Sequence, residues 1–141
     1  MYHKIAHILP TFLLFMLVFQ ISSASYADST SCSVADRLCV IGQLKNEAAK
    51  IKNTAWRDQT YREIAKTYMF EGKFSEALAL VEMINTPDTK AMTIRGIGMT
   101  LAAQDYDKKT RDDMFQFLRK EAETINHGAS YAIALTYIAM A

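Results

Sequence analysis

After a polar lead, apolar residues recur at steps of three and four along most of the chain, the spacing of helices with one buried face. Val34, Leu38, Ile41, Leu44, Ala48 and Ile51 form the first stripe and predict a leading helix over 34–52, with Ser33 or Asp36 as its cap. Tyr61, Ile64, Ala65 and Tyr68 form the second stripe. Gly72 breaks the pattern, and Phe74, Ala77, Leu78, Val81 and Ile84 resume it up to Pro87. Two such stripes around a glycine predict a helical hairpin. Met114, Phe117, Leu118, Ala122 and Ile125 form a later stripe on an otherwise charged helix. The last segment, Ser130 to Ala141, is apolar all round and lacks the polar outer face of a capping helix.

The chain also resembles itself. Ile64-Ala65-Lys66-Thr67-Tyr68 returns as Ile97-Gly98-Met99-Thr100-Leu101 and as Ile133-Ala134-Leu135-Thr136-Tyr137, at spacings of 33 and 36. Arg62 matches Arg95 in the first two copies. Helix ends recur as well: Ile51, Ile84 and Ile125 stand before Lys52-Asn53, Asn85-Thr86 and Asn126-His127, at spacings of 33 and 41. The longer second interval predicts an insertion, placed most simply in Asp105 to Asp112. Self-similarity at this period marks a repeat architecture, in which each hairpin buries its apolar face on the next. The expected fold is all-α, a short α-solenoid of antiparallel hairpins with about five helices.

Tyr61-x-x-Ile64-Ala65-x-x-Tyr68, Ala77-x-x-x-Val81 and Pro87 together resemble the tetratricopeptide repeat. Small Ala65 and Ala77 suit a close approach of the two helices, and the larger residues fill the space to the next hairpin. The division that follows is a first repeat over 57–87, a second over 89–126 and a partial third over 129–141. The resemblance implies a peptide-binding groove lined by the first helix of each hairpin. Carried across by position, that groove takes Gln59, Arg62, Lys66, Met69 and Phe70 from the first repeat, and Met92, Arg95, Met99 and Ala102 from the second. Arg62 and Arg95 would then stand on adjacent repeats with Lys66 nearby, able to hold a peptide carboxylate, or else be two solvated arginines.

The first residues change the compartment. Lys4 precedes an apolar run from Ile8 to Phe19, and small residues follow from Ser22 to Ala27. Residues 1–27 therefore read as a signal peptide cleaved after Ala27, with Ala24 as the alternative site and an uncleaved membrane anchor as the competing reading. Residues 28–141 are the repeat domain, expected in the periplasm or secreted. Removing Lys4 leaves 15 basic residues from the 16 in the chain, against 15 acidic ones. That balance argues against nucleic-acid binding, which needs a basic surface. Cys32 and Cys39, seven residues apart, are too distant to bond within one continuous helix. A disulfide requires Cys32 to lie in a lead-in folded back on the helix; the other reading is two unrelated thiols.

Catalytic chemistry finds little support. His127, the single histidine after the signal segment, stands beside Gly128 in a predicted turn. Gly96 and Gly98 lie inside a helix, where close packing accounts for Gly98 better than a phosphate loop does. Neither a metal nor a cofactor is expected. The function expected is a non-enzymatic scaffold that binds a protein or peptide. The alternative is an end-to-end self-associating module, or a truncated fragment of a longer array, joined through Tyr131, Ile133, Leu135, Ile138 and Met140 of the last helix. Trp56, the sole tryptophan, reads as a packing residue between helices.

Overall fold

The structure, a computed structural model, describes residues 32–140. The signal peptide and its cleavage positions lie outside the described residues, as does Ala141. The described residues form six helices and no strand: α1 (Arg37–Ala48), α2 (Thr54–Phe70), α3 (Phe74–Met83), α4 (Pro87–Ala103), α5 (Lys108–Glu123) and α6 (Gly128–Met140). The fold is all-α, with six helices among the described residues where about five were expected.

Local chemistry sets the boundaries. Asp36 caps α1 by accepting from Cys39 N at 3.0 Å, and Cys32 is joined to Cys39 by a disulfide with Cα atoms 5.7 Å apart. The cap holds Cys32 in a non-helical lead-in, which brings the two sulfurs together. Asn53 accepts from Trp56 N at 3.0 Å, so α2 starts at Thr54, earlier than the stripe predicted. Gly72, at φ +68°, ends α2 in a Schellman motif: Lys73 N donates to Tyr68 O at 2.8 Å and Gly72 N to Met69 O at 3.1 Å. Pro87 does not close the first repeat. It opens α4 at the first helical position, where its missing N–H costs nothing.

Helix α5 is six residues longer than α3, and the loops before and after α5 are each one residue longer than those before and after α3. The short loop after α4 is fixed by Tyr106, whose ring meets Phe74 edge-on at 4.8 Å.

Helices α2, α4 and α6 lie side by side and run parallel. Asp58 near the start of α2 reaches Thr86 at the start of α4, and Lys66 reaches Gly96 at mid-helix. Asp88 at the start of α4 reaches Ser130 at the start of α6, and Arg95 reaches Tyr137. Helix α3 packs on α2, and α5 on α4 and α6. The core between them is Ile64, Ala65, Ala77, Leu80, Val81, Ile94, Ile97, Leu101, Leu118 and Ala122, all at 0 % exposure. Each large aliphatic side chain there stabilises the fold by about 1.5–3 kcal/mol.

Polar couplings gather at one edge. Asp58, fully buried, accepts through Oδ2 from Asn85 N at 2.9 Å, Thr86 N at 2.7 Å and Thr86 Oγ1 at 2.8 Å. Its Oδ1 has no hydrogen-bond partner among the described residues, with Arg57 Nε at 3.8 Å. Lys90 Nζ donates to Glu121 Oε2 and to Thr124 Oγ1, both at 3.0 Å. The first turn of α4 is thereby tied to α2, α5 and α6 at once.

Candidate functional site

The open face of α2, α4 and α6 carries most of the residues that the sequence points to. On α2, Gln59 is exposed, and Arg62 and Lys66 are half-buried. Both cations engage Glu63: Arg62 Nε at 3.2 Å from Oε1, Lys66 Nζ at 2.7 Å from Oε2. On α4, Met92 and Met99 are exposed, one pair of turns apart on a shared face. Arg95 lies between them with its guanidinium carbon 4.3 Å from the centroid of the Tyr137 ring on α6. Cation–π contact at an exposed site contributes about 0.5–1 kcal/mol. Among the described residues no carboxylate forms an ion pair with Arg95. Arg95 is half-buried, with its guanidinium over the Tyr137 ring.

Next to this cation lies an apolar cavity of about 330 Å³ lined by Met99, Ala102, Ala103, Tyr137 and Met140. Met99 is 52 % and Met140 75 % exposed. The Lys66–Gly96 contact sets the register of α2 against α4, so Phe70, also 75 % exposed, comes one turn beyond Lys66 and level with Thr100 beside Met99. An apolar row of Phe70, Met99 and Met140 thus crosses the three helices, with Lys66 and Arg95 one turn behind it.

Two expected residues are placed elsewhere. Met69 is 1 % exposed and belongs to the core, so it cannot line a groove. It stands four residues after Ala65, on the buried side of α2. Trp56 is 66 % exposed and is not a packing residue between helices; the Asn53 cap fixes it in the first turn of α2, outside the core.

Helix α6 divides its residues. Ala134 is buried, and Tyr131 and Ile138 pack against the core as partly buried side chains. Leu135 is half-buried, while Ile133, at 41 % exposure, and Met140 face outward. Ile133 thus differs from its sequence counterparts Ile64 and Ile97, both fully buried. Its described neighbours, α4 and α5, cover one side of α6 only.

Ser130, His127 and Asp88 form a cluster that the sequence reading missed. His127 Nδ1 lies 2.6 Å from Ser130 Oγ, and Ser130 Oγ donates to Asp88 Oδ1. The residue types are those of a hydrolase triad, but the arrangement is not. The carboxylate meets the serine rather than the far ring nitrogen, and Ser130 is 0 % exposed, out of reach of a substrate. The cluster fastens the start of α6 to the start of α4. A serine three residues after a turn histidine is the one sequence signal for it, and its long-range partner has none.

The expected close packing at Gly98 is also revised. A Cβ there would stand 3.7 Å from Phe115 Cε1 and 3.9 Å from Leu118 Cδ1, ordinary contact distances. Among the described residues no three metal-ligating side chains gather, and no helix is long and apolar enough to cross a membrane. No family model, curated protein or solved structure matches the chain.

Proposed function

We propose that the chain is an exported, non-enzymatic scaffold whose helices form a short α-solenoid of tetratricopeptide-like hairpins, and that it binds a protein or peptide segment across α2, α4 and α6. The observation that carries the reading is the exposed apolar side chains of Phe70, Met99 and Met140 beside Arg95, which has no ion-pair partner among the described residues. Repetition supports the solenoid. Thr67, Thr100 and Thr136, at matching positions of the three sequence copies, donate to the carbonyls of Glu63, Gly96 and Ala132 at 2.9, 3.0 and 2.8 Å. Thr60 and Thr93 make the same bond to Trp56 and Thr89, so what supports the reading is the matching position of the three threonines in the sequence copies, not the bond itself. The Cys32–Cys39 disulfide supports an oxidising compartment.

The ligand that fits pairs a large apolar side chain, for the Met99–Met140 cavity, with a carboxylate for Arg95. Arg62, Lys66 and Arg95 outnumber Glu63 on this face, which favours an acidic segment. Phage selection of random peptides on the chain tests this. The enriched peptides should carry that pairing, and Arg62→Glu with Arg95→Glu should abolish their binding while the circular-dichroism melt still shows one cooperative transition, lowered by the loss of the Arg95–Tyr137 and Arg62–Glu63 contacts. Retained binding by the double variant overturns the proposal.

A second reading is favoured by the outward apolar side of α6, with Ile133 and Met140 in solvent. Here α6 joins a second copy or a further helical repeat. Ultracentrifugation decides it: Ile133→Glu with Met140→Glu should dissolve an oligomer, and a wild-type monomer at all concentrations refutes self-association.

A further inference from the structure

The reduced sulfur of this chain is all thioether. Its two cysteines are bonded to each other, so the methionines are the sulfurs left for an oxidant to meet. Among the described residues Met83, Met92, Met99 and Met140 are exposed, Met114 is half-buried and Met69 is buried. Three of the four exposed ones, Met92, Met99 and Met140, stand on the α2/α4/α6 face, so oxidation falls mainly there. Met99 and Met140 line its apolar cavity. The disulfide, which supports an oxidising compartment, supports contact with such oxidants too.

Position decides what a sulfoxide does here. Met99 stands four residues after Arg95 on α4, the spacing at which side chains on one helix face meet. Arg95 lies over Tyr137 and has no ion-pair partner among the described residues. A thioether is a weak acceptor, whereas a sulfoxide is polar and its oxygen accepts strongly. The other walls of the cavity are the methyl groups of Ala102 and Ala103 and the side chain of Tyr137. A sulfoxide oxygen covered there by an apolar ligand side chain loses its water, and that burial disfavours the complex.

We propose that Met99 and Met140 are oxidation sites for hydroperoxides, and that the sulfoxide of Met99 closes the α2/α4/α6 site. Its oxygen accepts from the Arg95 guanidinium and takes the place of the ligand carboxylate, while both sulfoxides make the cavity polar. The inference rests on the peptide-binding reading of this face. In the chemical step a sulfur lone pair attacks one peroxide oxygen. The S–O bond forms as the O–O bond breaks, sulfur loses two electrons and the peroxide gains them. The proton of the transferred hydroxyl passes to the leaving hydroxide, which departs as water when the oxidant is hydrogen peroxide.

Hydrogen peroxide treatment tests the proposal, read by mass spectrometry, by the affinity of a phage-selected peptide and by nuclear magnetic resonance. Trypsin places each of the six methionines among the described residues in a peptide of its own, so every conversion is read separately. Met99 and Met140 should convert while buried Met69 stays reduced. Peptide affinity should then fall about tenfold, and the Arg95 Nε–H resonance should move without any peptide present. Each variant is compared with itself before and after peroxide. Met83→Leu, on α3 and off the face, should show the full loss, and Met99→Leu should show less than about a third of it. A doubly oxidised chain that binds within about twofold of the reduced one overturns the proposal, with the binding reading intact. So does an equal loss in Met99→Leu, or an Arg95 resonance that stays in place. A reduced chain that binds no selected peptide overturns the binding reading, and the inference falls with it.

Discussion

Replacing Asp58 by alanine removes a buried side chain that couples the start of α2 to the start of α4. Three hydrogen bonds end on its Oδ2, from Asn85 N, Thr86 N and Thr86 Oγ1. A bond to a charged acceptor contributes about 1.5–3 kcal/mol when fully buried, but these three are part-buried and water can recover some of their donors. Loss of the carboxylate also relieves the cost of holding a charge at 0 % exposure. The net destabilisation expected for Asp58→Ala is therefore about 2–4 kcal/mol, a large share of the roughly 5–15 kcal/mol that holds a domain of this size. Asp58→Asn keeps an acceptor for the three donors, yet puts an NH₂ where Oδ1 has no partner, and should cost about 1–2 kcal/mol. Urea melts of the three proteins give the ranking, and hydrogen exchange should show lost protection at the Thr86 amide in the alanine variant. An alanine variant within about 0.5 kcal/mol of wild type would refute the reasoning, as would an asparagine variant less stable than alanine.

Gly98→Ala should stabilise the chain by about 0.5–1 kcal/mol in a thermal melt, because the new methyl group meets Phe115 and Leu118 at ordinary distances and the helix loses a glycine. Reduction of Cys32–Cys39 frees a short loop closed over a separation of seven residues, and should lower stability by at most about 2.5 kcal/mol in urea melts with and without reductant. Asp107 caps α5: the Thr110 hydroxyl, then the Thr110 backbone N–H, hold its carboxyl below the ordinary value of 3.8. Its contribution is present above that value and lost as pH falls through the lower folded one, so acid should fray the start of α5. Asp107→Asn should remove this acid dependence from hydrogen exchange at Thr110 while keeping the cap.

The apolar stripes were enough to locate the helices, although the first is buried only at Ile41 and Ala48: Leu38 and Leu44 are exposed, and Val34 lies exposed before α1 begins. Ile64, Ala65, Leu101 and Leu118 are core residues for the reason their spacing implies. Helix ends were legible less well, since Asn53 and Pro87 act as a cap and an opening residue where the stripe alone gives no boundary. Met69 shows the hazard of carrying a site across by position: Tyr61, Ala65 and Met69 lie four apart on the buried side of α2, and the periodicity already put Met69 there. Ile133 shows the reverse. Its place in the repeat is that of a core residue, and its exposure depends on which helices flank α6. The couplings at Asp58, Lys90 and Ser130 join residues 27 to 42 positions apart, and no local pattern encodes such pairs.

The α2/α4/α6 face is most directly tested by titrating a phage-selected peptide into the ¹⁵N-labelled chain and mapping the perturbed amides. The predicted result is a continuous patch at Phe70, Arg95, Met99, Tyr137 and Met140 that vanishes in Arg62→Glu with Arg95→Glu. Perturbations confined to α1 or to the charged side of α5, with these five residues silent, would contradict the account.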